Sequence, residues 1–187
     1  MVRTISKRII NSIAKSTTDK YNSDELEQME YALVTILFES IKMISTILIF
    51  SLFGYWKEVI IIQIIMCSVK PFIGGYHEET QIKCFITTLL SITGIMILSM
   101  QCTISFISNC ILIFLSIFCI WNQAPVINSK MPITRPEIIN KNRKTGLRNV
   151  TIIGLISIVT YNYLSYYLII TWTILLLALE MFNKRKN

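Results

Sequence analysis

His77 and Cys84 stand seven residues apart on a polar stretch, Lys70-Pro71-Phe72-Ile73-Gly74-Gly75-Tyr76-His77-Glu78-Glu79-Thr80-Gln81-Ile82-Lys83-Cys84, between two strongly apolar segments. His77 is the single histidine of the chain. A base beside a thiol makes a cysteine nucleophile, because the imidazole takes the thiol proton and later returns it to a leaving amine. Seven residues is two helical turns, and a straight helix would separate the two Cα atoms by about 10.5 Å along its axis. That is too far for a hydrogen bond. Catalysis therefore requires a bend, with His77 on a loop folded back and Cys84 on the helix that follows. Gly74 and Gly75 permit such a bend at low steric cost.

Cys84 is expected to start an apolar helix. The partial positive charge there favours a thiolate, and free backbone N–H groups can serve as an oxyanion hole. Glu78, Glu79 and Gln81 are each candidates to orient the imidazole, and spacing does not choose among them. On spacing alone, an interfacial polar loop without chemistry is the better account of the pair. One His and one Cys do not complete a metal site, so no metal or other cofactor is expected. Of the other cysteines, Cys67, Cys110 and Cys119 lie within apolar runs and Cys102 ends one. They read as small inert hydrophobes, and five cysteines do not suggest a disulfide framework.

The elements that must position the pair are apolar. The chain has 187 residues, 53% of them hydrophobic, with a mean hydropathy of +0.57. Apolar runs recur from Tyr31 to Phe182, too many for one small soluble core. The expected fold is all-α, a polytopic membrane protein of about six spans in one domain, with residues 1–22 as an interfacial segment and 23–187 as the bundle. In the first segment Ile5, Ile9 and Ile13 recur every four residues among Arg3, Lys7, Arg8 and Lys15, the pattern of an amphipathic helix lying in the membrane surface. No cleavable signal is recognised, and the first span itself is expected to direct insertion.

The spans are read as Tyr31–Phe53, Val59–Val69 with its flanks from Trp56 to Phe72, Cys84–Met100, Thr103–Trp121, and two short spans within Val150–Phe182. That last run would be about 50 Å long as one helix, so a turn at Tyr161-Asn162-Tyr163 is expected. Pro71 and the glycine pair end the second span, Gln101-Cys102 turns a tight hairpin, and 122–149 forms a polar basic loop. Glu39 and Lys42 inside the first span read either as a local ion pair or as the wall of a polar cavity. With six spans, sixteen of the eighteen Lys and Arg fall on one side, together with both termini, the His77 loop and the basic loop. The net charge of +7 is thus explained by orientation, with the basic side cytoplasmic, and no nucleic-acid motif is present.

Gly74-Gly75-Tyr76-His77, followed by six residues and Cys84, resembles the signature of the accessory gene regulator B family, bacterial multi-spanning peptidases that process quorum-sensing peptide precursors. Ala124-Pro125 and Lys130-Met131-Pro132-Ile133 resemble that family's Ala-Pro and Lys-Pro loop after the fourth span, and the basic stretch Lys141-Asn142-Arg143-Lys144 follows. The resemblance covers nearly the whole chain. Two positions depart from it. Lys70 stands where members often carry a bulkier base, losing bidentate carboxylate binding. Glu78-Glu79 replaces small or hydroxyl residues and would favour a more basic substrate.

The resemblance implies a bacterial cell-membrane cysteine endopeptidase with His77 as general base and Cys84 as nucleophile. Its partners would be an AgrD-like precursor peptide, membrane lipids and a second copy of the chain. Cys84 would attack at the tail junction of the precursor, and an internal Cys or Ser would then close a thiolactone or lactone. Lys130, Lys141, Arg143 and Lys144 would bind an acidic tail, although orientation and lipid contact account for several of them. Two rival readings lack covalent chemistry: a peptide exporter lined by Glu39, Lys42, Gln63 and Asn109, and a membrane scaffold.

Overall fold

A computed structural model of the chain describes residues 6–10, 12, 22–75, 80–126, 135–163 and 165–182. His77, Glu78, Glu79 and Lys130 lie outside these residues, as does most of the 1–22 segment. Within that segment, residues 6–10 are helical, with Ile10 buried and Ile9 exposed. The described residues are mostly helical, with six longer helices: α1 (Ser23–Ser51), α2 (Trp56–Ile73), α3 (Gln81–Gln101), α4 (Phe106–Gln123), α5 (Pro136–Thr160) and α6 (Tyr167–Glu180). They fall into two compact units, residues 1–49 and 50–187.

In the first unit, the helix start at Asn22 follows a capping box. The Glu25 carboxylate accepts from the Asn22 amide at 3.0 Å, and the Asn22 carbonyl accepts from Leu26 at 3.1 Å. Inside α1, Lys42 Nζ lies 2.6 Å from Glu39 Oε2. The charges thus neutralise each other one turn apart, the local pairing that their spacing suggests.

In the second unit, α6 is the centre. It is apolar all round, and it packs against α2, α3, α4 and α5. Leu168, Ile169, Ile170, Ile174, Leu177 and Ala178 are all buried on it. α5 crosses both α2 and α4 at glycines. A Cβ on Gly146 would meet Ile73 Cγ2 at 2.5 Å, and one on Gly154 would meet Ile113 Cγ2 at 2.7 Å. A buried clasp joins three helices: Thr171 Oγ1 donates to Asn109 Oδ1 at 2.6 Å and lies 2.9 Å from Ser157 Oγ. The outer faces of α3 and α4 carry Ile82, Ile86 and Leu90, and Ile107, Ile111, Phe114 and Phe118, all exposed, as a lipid-facing surface requires.

Among the described residues, three helices are long and apolar enough to cross a bilayer, at Glu25–Ser51, Gln81–Gln101 and Phe106–Gln123. α6 is apolar but has only 14 residues, and the 18 residues of α2 include Lys57, Glu58 and Lys70. The two ends of the second unit differ. At one end Tyr161 donates to the Ile104 carbonyl at 2.9 Å and meets Phe106 edge-on and Tyr167 at a tilt, tying the α5–α6 turn to the α3–α4 connection. The opposite end gathers Lys70, the Gly74-Gly75 turn, Val126 and Glu180.

Two expectations are corrected. The basic stretch is not a loop through residue 149, because α5 begins at Pro136, with proline at its first position and Glu137 in its first turn. Pro71 does not end α2, which continues to Ile73 and stops at Gly74, where the backbone turns to φ +74°. Near a helix end, proline removes only one hydrogen bond, whereas a positive φ ends the repeat.

Candidate active site

Cys84 sits in the first turn of α3. Thr80 caps that turn: its hydroxyl accepts from the Lys83 amide at 3.3 Å and its carbonyl from the Cys84 amide at 3.0 Å. These two N–H groups are therefore spent on the cap, and the expected oxyanion donors narrow to Gln81 and Ile82. One turn on, Thr88 Oγ1 donates to the Cys84 carbonyl at 2.8 Å.

Cys84 lines a small cavity of mixed polar and apolar surface together with Met66 and Lys70 of α2, Thr87, Thr88 and Ser91 of α3, and Glu180 of α6. Its volume of about 20 Å³ suits one water molecule. Across it Lys70 Nζ pairs with Glu180 Oε2 at 2.7 Å. Glu180 is absent from the sequence-predicted site. The available signal was its isolation, since it is the single acidic residue after Glu137 and ends a purely apolar helix.

The glycine turn is held from two sides. The Val126 amide donates to the Ile73 carbonyl at 2.8 Å, making a parallel bridge between Gly74 and Val126. A Cβ on Gly74 would collide with the Val126 carbonyl, and one on Gly75 would lie 3.6 Å from Glu180 Oε2. The Gly-Gly segment before His77 thus meets the segment after Ala124-Pro125, whose peptide bond is cis. Two motifs separated in sequence form one structure.

The predicted basic residues are placed differently. Arg143 Nη2 donates to the Trp121 carbonyl at 2.9 Å, capping the end of α4. Lys141 and Lys144 are exposed on α5. Gln63 and Asn109 are buried between packed helices and do not line the cavity.

The family model for accessory gene regulator B matches residues 6–182. The chain is also 41% identical to a protein of Clostridium perfringens (strain 13 / Type A) named "Putative AgrB-like protein 1", over 186 residues that cover all of this chain and 98% of that one. No solved structure matches. This family and the long apolar helices indicate a membrane protein with a role in quorum-sensing peptide processing. With its glycine turn, its Ala-Pro segment and Cys84 gathered at one end of the bundle, the chain belongs to the accessory gene regulator B family.

Proposed function

We propose that the chain is a membrane-embedded cysteine endopeptidase that removes the C-terminal tail of a quorum-sensing precursor peptide and closes the remainder into a ring. The observation that supports this reading is the placement of Cys84 on a small cavity, at a capped helix start, with the Lys70–Glu180 ion pair lining the same cavity.

His77 takes the Cys84 proton, and the sulfur attacks the carbonyl at the tail junction. The C–S bond forms as the C–N bond breaks, and the proton passes to the departing amine. A thiol or hydroxyl of the precursor then attacks the thioester, giving its proton to His77 and freeing Cys84. Thioester exchange with a thiol roughly conserves bond energy, and a site at the membrane edge limits competing water. A leader held in the interface raises the effective concentration of the ring-closing group.

Six spans, with the basic end of the bundle in the cytoplasm, suit this chemistry and the distribution of Lys and Arg. The gathering of the Gly74 turn, Val126 and Glu180 at one end supports that arrangement. Residues 1–22 lie along the inner leaflet, and two copies assemble as a homodimer.

Cys84→Ala tests the reading with full-length protein and a precursor in membranes. Cleavage and the precursor–enzyme thioester both vanish while the variant still inserts. Processing that survives this substitution rejects the peptidase and leaves an exporter or scaffold.

A further inference from the structure

We infer that Glu180 is a positioning residue of the Cys84 site, acting through its ion pair with Lys70 to hold the cavity beside the Gly75 turn near neutrality. The inference rests on the peptidase reading and adds to it a residue from the far end of the chain.

Three observations converge on Glu180. Its carboxylate is 2.7 Å from Lys70 Nζ, with the side chains of Lys70 and Glu180 only 25% and 16% exposed. Both residues line the cavity that Cys84 lines. The same Oε2 lies 3.6 Å from where a Gly75 Cβ would stand, so the carboxylate neighbours the backbone turn that precedes His77. An acid at the end of an otherwise apolar helix is costly unless it is paired, and packing alone would be met by leucine or glutamine.

The charge argument has opposite signs for the two partners. An ammonium beside a thiol favours the thiolate, and a carboxylate disfavours it. Paired, the two charges offset each other at the cavity, and removing either one leaves the other unopposed. Among the described residues, the other charged groups on the helices that line the cavity are few. α3 carries only Lys83, which is exposed, α6 carries only Glu180, and the remaining charges of α2, Lys57 and Glu58, are at its opposite end. The segment 76–79, with His77, Glu78 and Glu79, adjoins the turn and lies outside the described residues.

The test is the rate of Cys84 alkylation by iodoacetamide, followed by mass spectrometry across pH in the detergent-solubilised full-length protein. Glu180→Gln orphans the ammonium and moves the alkylation profile to lower pH, raising the rate below its midpoint by about threefold or more. Lys70→Gln orphans the carboxylate and moves the profile to higher pH. Lys70→Gln/Glu180→Gln orphans no charge, so it is the variant safest to fold, and its profile falls between the two. A merely structural pair would shift both single variants in the same direction or in neither. Either result overturns the role of Glu180, as does a double variant outside the interval. Cys84→Ala keeps the two failures apart. If it still processes precursor, the peptidase reading falls. If it is inactive while the profiles do not diverge, only the role of Glu180 falls.

Discussion

Gly74 and Val126 meet backbone to backbone, so closely that the carbonyl of Val126 occupies the place a side chain on Gly74 would need. This contact joins the turn before His77 to the segment after Ala124-Pro125. It makes the glycine a structural requirement at that position, beyond its freedom to adopt φ +74°.

Gly74→Ala therefore carries two penalties: about 1–3 kcal/mol for a positive-φ backbone (φ +74°, ψ −155°) that side chains disfavour, and the displacement of Val126. Gly54, at φ +84° with nothing within 4 Å of a built Cβ, carries only the first. Thermal unfolding in detergent is expected to drop more for Gly74→Ala than for Gly54→Ala, and precursor cleavage is lost only in the former. Equal losses in the two variants would contradict the bridge.

Gly154→Ala sets a Cβ 2.7 Å from Ile113 Cγ2. The branched isoleucine cannot swing this methyl away cheaply, and overpacking of this kind costs about 1–3 kcal/mol. In an Ile113→Ala background the same change is milder. A double-mutant cycle on unfolding free energies measures the coupling, and strict additivity would mean that α4 and α5 are not in contact there.

Thr171→Val removes the hydroxyl that donates to the fully buried Asn109. A loss of about 1 kcal/mol is expected, the scale of interhelical hydrogen bonds inside membranes. Asn109→Leu/Thr171→Val removes the amide that Thr171→Val strands and unfolds at a temperature closer to wild type than Thr171→Val alone does.

Arg143→Ala uncovers the last carbonyls of α4 and lowers stability by about 0.3–1 kcal/mol. Lys141→Ala and Lys144→Ala, which replace exposed side chains, leave the unfolding temperature unchanged. If these lysines bind the precursor's tail, both raise KM for a precursor with an acidic tail without changing kcat. An Arg143→Ala variant of undiminished stability would remove the capping role.

The α5–α6 turn is legible because the mostly apolar run of 33 residues from Val150 to Phe182 exceeds a bilayer and Tyr161-Asn162-Tyr163 interrupts it. Cys84 near a helix start is legible from Gly74-Gly75 and the polar residues that follow. The beginning of α5 is not. Asn140, Lys141, Asn142, Arg143 and Lys144 read as loop by polarity, and contacts distant in sequence stabilise the helix instead: Asn149 donates to the Ser68 carbonyl at 2.7 Å, and Gly146 fits against Ile73. Glu180 escapes for a related reason. No short spacing relates it to Cys84, and only the packing of α6 between α2 and α3 brings it to the cavity.

α6 is gripped near its beginning by Asn109 and at its final residue by Lys70. A rod anchored at both extremities acts as a ruler for the helices around it. Adding one residue between Thr171 and Glu180 would rotate the carboxylate by about 100° and advance it by about 1.5 Å, out of register with the ammonium. The length of this one helix, and not only its composition, is part of what keeps the thiol's surroundings in order.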